Sequence, residues 1–469
     1  MPARAGTYQR ESAMKEISMS TPGSTSPTGR RNPLRAGIAS WVGGALEYYD
    51  NYAYALASAL VFGRIFFPDV GSLGTVAALA TFAVSYVARP IGAILMGHFG
   101  DRIGRKAVLV FILLMMGISS LLVGFLPTYA QVGVWAPILL VTLRILQGIS
   151  VGGETAAATT LTVEAAEDSR RGFYTAFTSN GIVSGFVLAT VVFVPISSLP
   201  DDQLLSWGWR VPFWLSVIVT IAGLIIRAKL SESEAFVEAK KDDDLVKIPI
   251  VEAIRSHWQS ILRVIVCSLA FAVDTVIKVY GLTLATGVYG IPESTMLWVL
   301  LVSHLVALGT QPLVGILSDR IGRRPVFIAG NLGCGAMLFG YFAAIQAHNV
   351  PLMFVTGIIS VAGAYACINA SYPSMFAEMF SLKVRQSGMA LGLQIGLIAS
   401  GFAPSIYTAL TAGDPGNWMP VALVAAVVCL IAAAGAFTAK ETAHASLLDL
   451  GTTESRTQIL RPQAELRNS

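Results

Sequence analysis

The sequence predicts an all-α integral membrane protein with twelve transmembrane helices arranged as two pseudo-symmetric six-helix bundles. Three observations predict it. Hydrophobic residues make up 54% of the 469 residues and charged ones only 13%, against about 25% charged in a soluble domain, so too little polar surface remains to cover a water-exposed globule. Apolar stretches long enough to cross roughly 30 Å of hydrocarbon recur along the chain. A charged loop also occurs twice, at matching places in the two halves.

Residues 1–35 form a polar tail with Arg4, Arg10, Lys15, Arg30, Arg31 and Arg35, and a Ser/Thr/Pro/Gly stretch from Ser18 to Gly29 that cannot bury enough surface to fold. They lack the apolar core of a cleavable signal peptide. The first bundle, 36–228, holds six spans at roughly 36–63, 73–97, 106–126, 136–165, 172–198 and 207–228. A solvated linker, 229–258, contains Lys240, Lys241, Asp242, Asp243 and Asp244. The second bundle, 259–439, holds spans at roughly 259–288, 294–317, 325–346, 350–378, 387–412 and 417–439. A tail, 440–469, contains Pro462 and no sustained heptad repeat.

Lys and Arg gather on one side: the N-terminal tail, Arg102/Arg105/Lys106, Arg170/Arg171, the linker, Arg320/Arg323/Arg324, Lys383/Arg385 and Lys440. The positive-inside rule makes that side, with both termini and the linker, cytoplasmic, as in a multi-pass bacterial inner-membrane protein. Cys267, Cys334, Cys367 and Cys429 are widely spaced in apolar runs, which suits neither a disulfide framework nor a zinc site; they read as small packing residues.

The repeated loop is Gly97-His-Phe-Gly-Asp101-Arg102-Ile-Gly104-Arg105-Lys106, echoed by Gly315-Ile-Leu-Ser-Asp319-Arg320-Ile-Gly322-Arg323-Arg324. Each copy falls between the second and third span of its half. A second echo joins Glu164 and Arg171 to Glu378 and Arg385, in each case seven residues apart. Two homologous halves are the architecture of a rocking transporter.

The doubled G-x-x-x-D-R-x-G-R-R/K loop resembles the signature of the major facilitator superfamily. Glu47-Tyr-Tyr-Asp50, Ala88-Arg89-Pro90-Ile-Gly92, Arg144-x-x-Gln147-Gly148-x-x-x-Gly152-Gly153-Glu154 and Trp207-Gly208-Trp209-Arg210-Val-Pro212-Phe213 are similar to its metabolite:H⁺ symporter family. The resemblance spans roughly 36–441. It implies the major facilitator fold and proton-driven import of a small organic anion such as a carboxylate. Zwitterionic osmolytes such as proline and betaine, or uncoupled facilitation, stand as alternatives.

The resemblance also implies that Asp101 and Asp319 latch the halves together on the cytoplasmic side, Asp101 at the start of the eleventh helix near Gly388 and Asp319 at the start of the fifth near Gly172. A carboxylate is attracted to a helix N-terminus, and Gly97 and Gly315 permit close approach. Gly97, Asp101, Arg102, Gly104, Arg105, Gly315, Asp319, Arg320, Gly322, Arg323, Glu164, Arg171, Glu378 and Arg385 are therefore gating candidates, and the loop arginines also serve topology.

Ionisable residues within apolar spans are costly and mark function by default. At about 1.5 Å per residue, Glu47, Arg89 and Glu154 share a depth of roughly 12–16 Å on three helices, with Asp50 near 21 Å. Arg89 can fork onto a substrate carboxylate, or the three can form a permanent structural salt bridge. Arg144, with Gln147 one turn away, either receives substrate or snorkels to the interface. Asp50 is the favoured proton carrier. Asp274 and Lys278 stand four apart on the seventh helix, where the resembling family usually has polar or aromatic residues. Asp50 precedes Asp101 by 51 residues and Asp274 precedes Asp319 by 45, so the two acids occupy similar places in the halves. Substrate-binding candidates are thus Arg89, Arg144, Tyr49, Gln147, Lys278 and Tyr280; proton-coupling candidates are Asp50, Glu47, Glu154 and Asp274. His304 reads as a packing histidine, with a proton relay as the alternative.

No phosphate-binding loop G-x-x-x-x-G-K-S/T occurs, which excludes a built-in ATP-driven pump. The fifth span lacks the Gly-Pro element of the superfamily's drug antiporters, and loops this short hold neither an enzyme nor a receptor domain. The expected partners are a small organic anion, protons and the lipid bilayer, with no cofactor, no metal and no nucleic acid, and a monomer suffices.

Overall fold

Apolar segments in lipid must satisfy every backbone group internally, which favours helices. The computed structural model describes residues 33–103, 105–152, 154–228, 249–382, 384–447 and 450, and among these only helices and their connections occur. Ten helices are long and apolar enough to span a membrane; 110–124 is a shorter apolar helix, and 33–66 completes twelve segments.

The first half comprises α1 (33–66), α2 (Gly74–Ile103), α3 (Arg105–Gly124), α4 (Trp135–Ala165, broken after Val151), α5 (Arg171–Ile196) and α6 (Val211–Ala228). The second comprises α7 (249–288), α8 (Glu293–Ile321), α9 (Arg323–Gln346), α10 (Val350–Ala377), α11 (Arg385–Leu410) and α12 (Met419–Phe437). The chain folds as the expected all-α membrane protein, with α5 packed along α8 and α2 along α11 between the halves. These two seams are equivalent under the internal repeat.

The start of α7 differs from the expectation. Its first helix, Pro249–Ser268, begins ten residues before the expected start at 259 and bends at His257 (φ −129°, ψ 24°). The stretch is amphipathic: Ala253 is buried while Glu252 and Arg255 face outward, so its charge made it read as linker. Beyond the bend, π-helical turns at Val276–Tyr280 and Leu284–Val288 widen α7, and similar turns occur in α1 (Ser58–Phe62) and α10 (Ile359–Tyr365). Such turns often mark functional positions. One of them carries Lys278.

The outer surface exposes large apolar side chains, while charged side chains are buried within a largely apolar core. Phe111, Phe125, Ile218, Leu313 and Phe437 are exposed, whereas Glu47, Asp50, Arg89, Arg144, Asp274 and Lys278 are buried. That inversion suits lipid on the outer surface. Cys267, Cys334 and Cys429 are free and buried as packing residues, and Cys367 is free and half-buried.

Candidate functional site

Inside the first half, α1, α2 and α4 bring Glu47, Asp50, Asn51, Arg89, Arg144 and Gln147 to one small cavity. Arg144 does not snorkel. Its side chain is 1% exposed, its guanidinium lies 3.9 Å over the Tyr54 ring, and it donates to Ser85 Oγ (2.8 Å), Asn51 Oδ1 (3.4 Å) and Gln147 Oε1. Gln147 is fixed in turn by donating to Ser120 Oγ. Arg89, stacked 4.1 Å over Tyr86, donates to the same Asn51 Oδ1 at 3.3 Å. One neutral amide oxygen thus serves two buried guanidinium groups, and the Nε–H of each has no hydrogen-bond partner among the described residues.

Asp50 accepts a hydrogen bond from Ser216 of α6 through Oδ1. Arg144 makes no salt bridge among the described residues. Asp50 lines the same cavity and offsets part of this buried charge without an ion-pair contact, so an incoming anion that pairs directly with Arg144 gains more than it would in water. Glu154 stands apart from this cavity, at the start of the second part of α4 and directed towards Gly43. The shared depth of Glu47, Arg89 and Glu154 therefore brings only the first two to one cavity wall.

A second, small cavity lies between the halves, walled by Tyr48, Tyr52 and Tyr86 on one side and Phe271, Asp274, Tyr365, Asn369 and Tyr372 on the other. Tyr86 separates the two cavities: its hydroxyl accepts from Asn51 Nδ2 at 3.0 Å, and its ring is the one on which Arg89 rests. Tyr49 and Tyr280, the two expected cavity tyrosines, line neither cavity. Tyr49 donates to the Pro212 carbonyl at 2.8 Å, and Tyr280 packs on Phe342 and Tyr407. The helix face, which the residue type alone does not reveal, decides this.

At the seam, Lys278 Nζ lies 2.6 Å from Asp274 Oδ2 and donates to the Tyr52 hydroxyl at 3.2 Å. It also lies 4.4 Å over the Tyr52 ring and 4.5 Å over that of Phe186. The expected pair is present, and its cap comes from the other half.

On the face carrying the repeated loops, Asp319 accepts from the N–H groups of Gly172 (2.8 Å) and Phe173 (2.9 Å), the contact the second loop predicts. The carboxylate sits on the N-terminus of α5, where unsatisfied donors and the helix dipole favour it. Arg323 steadies it at 2.6 Å. The side chains of Asp101, Arg102 and Arg105, the surroundings of Gly97, and Gly104 are not described, so the corresponding Asp101 contact lies outside what the structure describes. Arg320 is exposed and takes no part in the ion pairs of this cluster. The second echo is paired crosswise: Arg171 of α5 lies 3.1 Å from Glu378 at the end of α10, and Arg385 of α11 lies 3.7 Å from Glu164 at the end of α4. Each half thus supplies the other half's counter-ion.

Gly172 and Gly315 allow this approach. A Cβ on Gly315 would stand 2.7 Å from the Gly172 carbonyl oxygen, so Gly315→Ala is expected to wedge α5 from α8. Cysteine cross-linking across this seam should fall several-fold, and an unchanged yield would show that the backbones are not held together here.

Past α12 the chain returns under this face. Glu441 accepts from the N–H groups of Arg323 (2.9 Å) and Arg324 (3.0 Å), capping α9; Thr442 donates to Glu378; and Arg171 donates to the carbonyls of Thr442 (3.2 Å) and Ala445 (2.7 Å). The segment 441–447 is therefore a strap across both halves. Gly322, with φ +111°, makes the turn that presents these N–H groups. Burial is the largest single influence on Glu441 and pushes its pKa up, but the N–H groups of Arg323, Ala443, Arg324 and Thr442 together outweigh it and hold it below its ordinary 4.5. A depressed carboxylate contributes stability that is present above the unfolded value and lost as pH falls through the folded one. The strap should thus stay fastened at neutral pH and loosen only in acid, once the pH falls below the ordinary glutamate range. Glu441→Gln should loosen it at neutral pH, read as increased thiol labelling of a cysteine introduced at Ala445; unchanged labelling would contradict the capping role.

Residues 37–247 match the family described as "Sugar (and other) transporter" and residues 265–467 that described as "Major Facilitator Superfamily". The chain is 37% identical over 418 residues to the shikimate transporter of Escherichia coli, an alignment covering 88% of this chain and 95% of that protein. It is 32% identical over 431 residues to the proline/betaine transporter of Salmonella typhimurium, covering 88% and 85%. Among solved structures, the xylose transporter XylE from E. coli in a partially occluded inward-open conformation superposes with a TM-score of 0.67 at 19% identity, over 87% of this chain and 98% of that one.

Proposed function

Since the chain belongs to the major facilitator superfamily, and to its branch of metabolite, shikimate and proline/betaine transporters, we propose that it imports a small organic anion together with protons by alternating access. It is a multi-pass membrane transporter, not an enzyme. The observation that carries the anion reading is the pair of buried guanidinium groups sharing Asn51 Oδ1, with Arg144 making no salt bridge among the described residues. A carboxylate entering past Tyr86 would receive paired N–H donors from Arg144 and Arg89, the geometry a guanidinium offers best. Shikimate, named for the relative, is such a carboxylate.

Asp50 is the proton carrier in this reading. Both Asp50 and Arg144 line the cavity, so protonating the acid leaves the arginine as the dominant charge and favours the anion. Losing the proton on the other side returns a negative charge beside the substrate and favours its release. The loop face is cytoplasmic, and the Asp319 cap, the crossed ion pairs and the strap hold it shut. Opening that face requires Asp319 to leave Gly172 and Arg171 to leave Glu378.

A second reading has its own support. Tyr48, Tyr52, Tyr86, Tyr365 and Tyr372 around Asp274 would suit a quaternary ammonium through cation–π contacts, and the proline/betaine relative fits that chemistry. A thermal-shift screen of purified protein separates the two. A ligand at 100 times its Kd stabilises the protein by about 2.7 kcal/mol. Shikimate and other ring carboxylates are expected to raise the unfolding temperature, and betaine and proline to leave it unchanged. A shift with betaine alone would overturn the anion reading.

A further inference from the structure

His304 of α8 was expected to be a packing residue, but its surroundings are polar and incomplete. It is 1% exposed, its Nδ1 lies 2.7 Å from the Leu300 carbonyl oxygen, and its Nε2 points at Asp274 Oδ1 from 3.9 Å. A carbonyl only accepts, so Nδ1 carries a hydrogen and, in the neutral ring, Nε2 is a bare acceptor. Asp274 Oδ1 is an acceptor too. Neither atom has a hydrogen-bond partner among the described residues, although buried polar atoms ordinarily have one. Two facing acceptors become a donor and an acceptor when one proton is added between them, and about 1 Å of closure gives a normal hydrogen bond.

We propose that His304 Nε2 and Asp274 Oδ1 form a second proton-binding site, placed at the seam between the halves and separate from Asp50. The proton adds to the Nε2 lone pair, and the new N–H donates to Oδ1. The cluster of Asp274, Lys278 and His304 then passes from neutral to a single positive charge. Asp274 divides its charge between two cations, and the central cavity it lines becomes attractive to an anion. This deepens the proposed proton–anion symport and rests on it for that last consequence only.

The groups facing the site are few. Lys278 comes from its own side on α7, Tyr52 from α1 and Tyr365 from α10. Cys334 of α9 directs its thiol to the Ser360 carbonyl, and α5 contributes Phe186, whose ring is 4.3 Å from that of His304. Tyr52 and Phe186 belong to the opposite half. Parting the halves would therefore uncover the proton site, which gives it a route to solvent during the transport cycle.

Infrared pH-difference spectra of the reconstituted protein test this without substrate or transport. Acidification is expected to produce, in the wild-type-minus-variant difference, an imidazolium band together with a shifted aspartate carboxylate band, the other four histidines contributing equally and cancelling. Both His304→Gln and His304→Asn should reveal this pair of bands as missing, so a folding failure of one variant leaves the other. In Asp274→Asn the imidazolium band should move, while Asp50→Asn should retain both bands. Spectra of the His304 variants identical to wild type, or an imidazolium band with no carboxylate partner, would overturn the proposal. Absence of proton-driven uptake with these bands intact would instead count against the symport reading.

Discussion

Arg144→Gln is expected to abolish high-affinity uptake while leaving the protein folded. The guanidinium lines the inner cavity without a salt bridge among the described residues, and a hydrogen bond to a charged group contributes about 1.5–3 kcal/mol. Losing it should weaken anion binding roughly 10- to 100-fold. Gln keeps polar contact with Ser85 and Gln147, which now hold Arg144 in place, so the fold should tolerate the change. Arg144→Lys should fail almost as badly, because an ammonium cannot lie flat on Tyr54 and offer two parallel donors. Equilibrium binding of radiolabelled shikimate checks this. Wild-type affinity in either variant would remove Arg144 from the site.

The second large effect is expected at Glu378. It is 1% exposed and touches Arg171 at 3.1 Å, Arg323 at 3.5 Å and the Thr442 hydroxyl. It therefore joins α5 of one half, α9 of the other and the strap. Breaking a buried pair leaves an uncompensated charge and costs about 3–5 kcal/mol. In Glu378→Gln the amide oxygen can still accept from one arginine, so about 3 kcal/mol, or roughly a 100-fold loss in the closed-to-open ratio of the face carrying the repeated loops, is expected. Arg323 retains Asp319 at 2.6 Å, whereas Arg171 retains only the exposed carboxylate of Asp168 at 3.5 Å, so Arg171 is the more weakly compensated of the two. Distances between spin labels on the ends of α4 and α10 at the face carrying the repeated loops should shift to an open population in Glu378→Gln, and an unchanged distribution would contradict the lock.

The helices were legible because a run of about 20 apolar residues has few alternatives, and the first turns of α7 escaped because they are amphipathic and charged. The charged site residues were legible for the converse reason: Asp50, Arg89, Arg144, Asp274 and Lys278 stand out in apolar spans. Asn51 did not. A neutral amide in such a span is unremarkable, and only the structure shows one oxygen serving two arginines. Its position next to Asp50 was the available signal. The crossed pairing of Arg171 with Glu378 and Arg385 with Glu164 was hidden too, since the repeat sets each Glu seven residues from an Arg in its own half while the partner comes from the other. The strap at 441–447 has no apolar period to announce it. Asp319, by contrast, was found through the repeat, and the family resemblance implied the helix start near Gly172 that it approaches.

Proton-driven accumulation in proteoliposomes tests the central claim most directly. With an inward proton gradient, wild-type protein should concentrate shikimate above its external level and lose that gain when a protonophore is added. Asp50→Asn should keep counterflow exchange of the same solute and lose accumulation. Wild-type protein that only equilibrates the solute, or an Asp50→Asn variant that concentrates it like wild type, would contradict proton coupling through this carboxylate.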